Sequence, residues 1–155
     1  MNPFHNYTSI LIVDDDAFVL SALKMTLEME QFEVTTCTSP IEALRLVSRR
    51  EFTVIISDHR MPGMTGLAFF AECRQICPDT PRILLTAVVE LATVMAAINR
   101  GGEICHFMSK PWRQEQLIAA VRAAAQKHQL ATRSHPSQTW PVRRTSAAMG
   151  EVPAY

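Results

Sequence analysis

The chain has 155 residues, 48% of them hydrophobic and 19% charged, with 15 basic residues balanced by 15 acidic ones. That length can bury a core without staples, the composition is not that of a disordered chain, and zero net charge leaves no basic footprint, so direct nucleic-acid binding is not expected. No apolar run approaches the roughly 20 residues needed to cross a bilayer, and the opening MNPFHNYTS has no basic segment followed by an apolar one, so a cytoplasmic protein without membrane contact is expected.

Ser9 to Val13 (SILIV) is a continuous apolar strand, followed by a helix from Ala17 to about Met29 with apolar residues at helical spacing: Phe18, Leu20, Leu23 and Leu27. Phe32 to Cys37 alternates as a strand. Ser39 and Pro40 occupy favoured cap and first-turn positions of a helix from Ile41 to Ser48. Thr53 to Ser57 (TVIIS) is the central strand. The turn-rich MPGMTG leads into a helix from about Gly66 to Ile76, which Pro78 terminates. Arg82 to Leu85 (RILL) is the fourth strand, and Leu91 to Arg100 is a helix ended by Gly101 and Gly102. Ile104 to Ser109 (ICHFMS) is the fifth strand, and a last helix runs from about Trp112 to Leu130.

Such alternation predicts a parallel sheet covered on both faces, a doubly wound α/β fold spanning residues 1–130. From Ala131 the periodicity disappears, so residues 131–155 are expected to be a disordered tail or linker. Cys37, Cys73, Cys77 and Cys105 contain no CxxC spacing. Although Cys73 and Cys77 face the same way on a predicted helix, reduced packing thiols are the expectation.

Asp14, Asp15, Asp58, Thr86 and Lys110 each sit where a short apolar strand stops, so a parallel sheet gathers all five at one edge. The functional crevice of an open α/β sheet lies outside the carboxyl ends of its strands. Like charges converging there need a cation, and hard oxygen donors suit Mg²⁺ with retained waters. Each residue also has a plainer reading in isolation. DDD can cap a helix, a role expected of Asp16, SD can open a turn, Thr86 can end a strand and Lys110 can be a solvated charge.

The motifs ILIVDDD, VIISDHRMPGMTG, ILLTA and FMSKPW, in this order and with these intervening helices, resemble the receiver domain of two-component response regulators from about Ser9 to about Leu130. The resemblance implies a flavodoxin-like (βα)5 sheet of strand order 2-1-3-4-5. It implies phosphorylation on Asp58, with Mg²⁺ held by Asp14, Asp15, Asp58 and the main-chain carbonyl of Arg60. It assigns Thr86 and Lys110 to the phosphoryl oxygens and a cis peptide bond to Pro111. Phe107 takes the place of an aromatic switch residue, with a buried core phenylalanine as the plain alternative. Arg60 and Val88 occupy variable positions that tune dephosphorylation in the family. Because the phosphodonor histidine belongs to the partner kinase, His59 is expected to be an exposed loop residue, and Trp112 a partly buried cap on the last helix.

The implied function is a signalling switch rather than an enzyme. It takes phosphate from a sensor histidine kinase or phosphotransfer protein and acts on a downstream protein target or output domain, with a phosphorylation-linked homodimer as a further arrangement. GGEICHFMSKPW looks like receivers that precede cyclic-dinucleotide phosphodiesterase or transcriptional output domains. Two alternatives stand beside it. A haloacid-dehalogenase-type phosphatase uses a DxD motif after the first strand, which Asp14-Asp15-Asp16 formally satisfies, but the chain lacks a cap insertion and a late acidic pair. An adaptor could use the same fold without phosphorylation.

Overall fold

The computed structural model describes residues 7–99 and 106–134. Strands β1 (Ser9–Val13), β2 (Glu33–Cys37), β3 (Val54–Asp58), β4 (Arg82–Ala87) and β5 (His106–Lys110) alternate with helices α1 (Ala17–Glu28), α2 (Pro40–Arg49), α3 (Gly66–Ile76), α4 (Leu91–Asn99) and α5 (Gln114–Ser134). A 3-10 turn, Val88–Glu90, precedes α4. The strands pair in parallel in the order β2-β1-β3-β4-β5, which is the expected doubly wound topology.

The inner strands β1, β3 and β4 carry apolar runs because both faces of the sheet are covered there, so successive side chains enter opposite cores, whereas the edge strands β2 and β5 are more polar. Ile10, Ile12, Val54, Ile56, Ile83 and Leu85 pack with Leu23 and Leu27 of α1 and Leu117 and Val121 of α5. Leu11, Val13, Ile55 and Leu84 point the other way, onto Val47 of α2, Phe69 and Phe70 of α3 and Val94 of α4.

The helix starts follow local chemistry. The Asp16 side chain accepts from the Phe18 N–H at 2.9 Å, giving Asp16 its expected capping role, and Ser39 caps α2 with Pro40 just inside. Thr65 caps α3 by accepting from the Ala68 N–H at 3.2 Å.

Several boundaries shift from expectation. β3 runs on to Asp58 and β4 to Ala87, because main-chain pairing continues past the apolar run: Asp58 lies opposite Leu85, and Thr86 opposite Ser109. α5 starts at Gln114 rather than Trp112, with Trp112 partly buried against the first core, and it continues through Ser134, past the expected end at Leu130. Phe18, at the first turn of α1, is 88% exposed, whereas Leu20, Leu23 and Leu27 are buried. The apolar spacing identified the helix but assigned Phe18 to the wrong side of it. Gly101, Gly102, Ile104, Cys105 and residues 135–155 lie outside the described residues. Among the described residues no helix is long and apolar enough to cross a membrane.

One glycine fixes how closely α3 approaches the sheet. A Cβ on Gly66 would lie 2.4 Å from the main-chain oxygen of Asp58 and 2.6 Å from Cδ1 of Leu84. Only a residue without a side chain lets α3 begin directly over the end of β3, an approach that the Gly66 N–H reinforces by donating to the His59 carbonyl at 2.7 Å. Gly66→Ala is therefore expected to destabilise the fold by about 1–3 kcal/mol, as overpacking against backbone does. An unchanged midpoint in urea denaturation would show that this approach can relax.

Candidate functional site

At the carboxyl end of the sheet, β1 delivers Asp14 and Asp15, β3 delivers Asp58 and β5 delivers Lys110. One carboxylate oxygen from each of Asp14, Asp15 and Asp58 lies within 4.8 Å of the others. Asp14 and Asp58 are buried and Asp15 is exposed. The Lys110 ammonium lies 2.6 Å from Oδ1 of Asp58 and 3.8 Å from Oδ2 of Asp14. The Lys110–Pro111 peptide is cis, as expected.

The two oxygens of Asp14 differ. Oδ1 accepts from the Asp16 N–H at 2.9 Å, whereas Oδ2 is buried with no hydrogen-bond partner. An ionised oxygen left in that condition is unfavourable. Burial accordingly raises the Asp14 carboxyl to about 6; the Asp16 N–H and Lys110 oppose the rise, and the charges of Asp58 and Asp15 add to it. The orphaned oxygen, facing two further carboxylates, fits a hard cation that accepts oxygen ligands.

Other expected residues are placed less directly. Thr86 is fully buried at the end of β4, and its hydroxyl donates to the Ala87 carbonyl at 3.4 Å rather than into the acidic cluster. Phe107 pairs with Leu84 in register and is half-buried against the second core, with its ring 6.4 Å from that of His106. The Arg60 side chain is exposed and forms an ion pair with Glu90 in the 3-10 turn after β4. That pair joins the loop after Asp58 to the segment after Thr86. Nothing in the spacing of positions 60 and 90 signals it, so Glu90 escaped sequence reasoning.

His59 departs from expectation, being 6% exposed instead of lying on an exposed loop. Chain pairing continues one residue past Asp58, since the His59 N–H donates to the Leu85 carbonyl at 2.9 Å, and Gly66 closes over its backbone. With Arg60, Met61, Pro62, Thr65 and Glu90 it lines a cleft beside Asp58.

Residues 10–122 match the response regulator receiver domain. The chain belongs to this family. Receiver domains are the phosphoacceptor modules of two-component phosphorelay signalling. The chain is 37% identical over 118 residues to the hydrogenase transcriptional regulatory protein HoxA of Cupriavidus necator, covering 76% of this chain and 24% of that one. It is 36% identical over 122 residues to the C4-dicarboxylate transport transcriptional regulatory protein DctD of Rhizobium meliloti, covering 79% of this chain and 26% of that one. The chain thus spans about a quarter of the length of these curated relatives. Among solved structures, the signal receiver domain of an HD domain-containing protein from Pseudomonas fluorescens superposes with a TM-score of 0.75 at 34% identity, covering 83% of this chain and 93% of that one. A structure described as adenylate cyclase from Rhodopirellula baltica gives a TM-score of 0.79 at 37% identity, covering 84% and 96%.

The raised Asp14 carboxyl sets a pH dependence for the receiver when it is free of metal. A carboxyl near 6 in the folded state and near 3.8 when unfolded binds its proton more tightly in the fold. Ionised Asp14 then destabilises the fold above about pH 6 and not below about pH 4. In excess chelator, Asp14→Asn should raise stability at pH 7.5 by on the order of 1–2 kcal/mol. Urea titrations should show the gain fading as pH falls from 6 towards 4. A gain independent of pH would remove the desolvation argument.

Proposed function

We propose that Asp58 is the phosphoacceptor of this receiver, taking its phosphoryl group from a sensor histidine kinase or a phosphotransfer protein. The observation that carries this reading is the Lys110 ammonium 2.6 Å from Asp58 Oδ1, inside a cluster of three carboxylates. An oxygen of Asp58 attacks phosphorus, the bond from phosphorus to the donor nitrogen breaks, and the donor imidazole leaves. Mg²⁺ held by Asp14, Asp15, Asp58 and the main-chain carbonyl of Arg60 would offset the negative charge gathering on the phosphoryl oxygens. Lys110 supplies a positive point charge that exchanges the Asp58 carboxylate for a phosphoryl oxygen.

Thr86 is the second group to respond. Its hydroxyl turns from the Ala87 carbonyl towards the phosphoryl group, and Phe107 moves into the space released. The equilibrium of the face formed by α4, β5 and α5 is thereby biased, in the manner of a local charge change read out by a bistable surface. That face acts on a downstream protein target, an output domain or a second copy of the chain. The protein is a signalling switch rather than a turnover enzyme, works in the cytoplasm, and ends its receiver domain with α5, the residues beyond Ser134 serving as a tail or linker.

The phosphatase alternative assigns the nucleophile to Asp14 and the general acid to Asp16. The Asp16 side chain instead caps α1, and the acidic cluster is completed by Asp58 from the central strand. Both features favour the receiver reading.

With acetyl phosphate and Mg²⁺, intact-protein mass spectrometry should show one added phosphoryl group that hydroxylamine removes. Asp58→Asn and chelation should each abolish labelling. Lys110→Ala should keep some label but lose the change at the α4–β5–α5 face, seen in amide spectra. Full labelling of Asp58→Asn would overturn the assignment, and rapid turnover of organic phosphate without a phosphoprotein would favour the phosphatase. Calorimetry gives a separate check on the metal, since Asp15→Asn should weaken Mg²⁺ binding by on the order of tenfold. Unchanged affinity would remove Asp15 from the site.

A further inference from the structure

Helix α1 is apolar on two opposite sides. Leu20, Leu23 and Leu27 fill the first core, while Phe18, Met25 and Met29 stand 88%, 66% and 74% exposed, with exposed Ala22 between them. Positions 18, 22, 25 and 29 fall within about 60° of one another around a helix, so they form one stripe about 16 Å long. It starts directly after the exposed Asp15 and Asp16 and ends on the side of the domain away from the acidic cluster. A surface helix ordinarily keeps its outer side polar, and a contiguous exposed apolar strip marks a contact face.

The path of α5 bears on what covers that face. α5 packs beside α1 on the same core, Arg122 pairs with Glu30 in the turn after α1 at 2.5 Å, and His128 Nε2 lies 3.3 Å from Glu51 Oε1 just before β3. Both helices run back from the acidic edge, so α5 releases the chain after Ser134 at the end of the domain that holds Met29. The 21 residues that follow span up to about 70 Å when extended, several times the length of the stripe. Their chemistry matches it. Trp140, Pro141 and Val142 make an apolar group, and Arg143 and Arg144 follow directly, against one acidic residue, Glu151. With Trp140 at Met25, a chain continuing towards Phe18 carries Arg144 about 13 Å further, and Asp16 lies about 13 Å from Met25 along the helix. Apolar groups then meet apolar groups while the arginines arrive at the acidic end.

We propose that residues 135–155 fold back onto the outer face of α1, with Trp140 seated on Met25 and Met29 and with Arg143 and Arg144 beside Asp15 and Asp16. A thioether sulfur against an indole ring is a favourable contact, and unbranched methionines adapt their shape to it. The tail thereby shields the side of the acidic cluster that α1 borders, so a protein approaching Asp58 across α1 displaces the tail first. Docking of the tail does not depend on phosphorylation of Asp58.

The test is the rate at which dilute hydrogen peroxide converts methionines to sulfoxides in the whole chain, read by mass spectrometry of tryptic peptides. Met95 on α4, 42% exposed, is the internal reference. By exposure alone Met25 and Met29 react ahead of Met95, whereas under the tail they should react more slowly than it, on the order of fivefold. Trp140→Ala should restore the order that exposure sets, and replacing Arg143 and Arg144 together by Glu should restore it in part. Amide spectra of Trp140→Ala should place the accompanying shifts at Phe18, Ala22, Met25 and Met29, with the midpoint in urea checking that the fold is intact. Met25 and Met29 reacting ahead of Met95 in the parent chain, or rates that Trp140→Ala leaves unmoved, would overturn the inference. So would protection that disappears on dilution, which assigns the stripe to a second copy of the chain.

Discussion

A single ammonium group lets three carboxylates share one edge of the sheet. Asp14 and Asp58 are both buried, and the cost of ionising them together in a poorly solvated cleft is high. Lys110 reaches across β4 from β5 to lie against Asp58 and near Asp14, so the arrangement depends on β5 being held in register with its neighbour. The compensation is partial. Asp14 keeps an unpartnered oxygen and a raised carboxyl, so Lys110 does not offset the whole cost of burying it.

The rest of the fold serves that edge by holding it rigid. Strands that are apolar on both faces must be covered on both faces, and the two cores anchor β1, β3 and β4 from opposite sides. Asp14 and Asp58 are therefore aimed by backbone that has little freedom. Gly66 extends the same rigidity to α3, whose first residue rests on the carbonyl of the proposed acceptor.

The sequence made the strand ends legible, because runs such as SILIV and TVIIS stop abruptly at charged residues and parallel strands all point the same way. Asp14, Asp15, Asp58 and Lys110 meet as that logic predicts. What was not legible depends on which side of a backbone a neighbour lies. His59 looked solvated beside a turn, but pairing continued one residue beyond the apolar run and buried it. Phe18 fitted an apolar spacing, yet capping by Asp16 sets the helix phase and leaves Phe18 in water. The hydroxyl direction of Thr86 and the pairing of Arg60 with Glu90 are tertiary facts with no periodic signature.

The Arg60–Glu90 contact has its own consequence. The Arg60 side chain is 80% exposed and that of Glu90 13%, so the guanidinium end of the pair is open to water and salt, and the pair is worth about 1 kcal/mol at most. A connection that weak between the loop after Asp58 and the turn after β4 does not act as a lock. Its strength is comparable to thermal energy, so the two loops are held together by a contact that other charges and salt can readily outweigh. Ionic strength then becomes a continuous control on how firmly the loop after Asp58 is tied to the turn after β4.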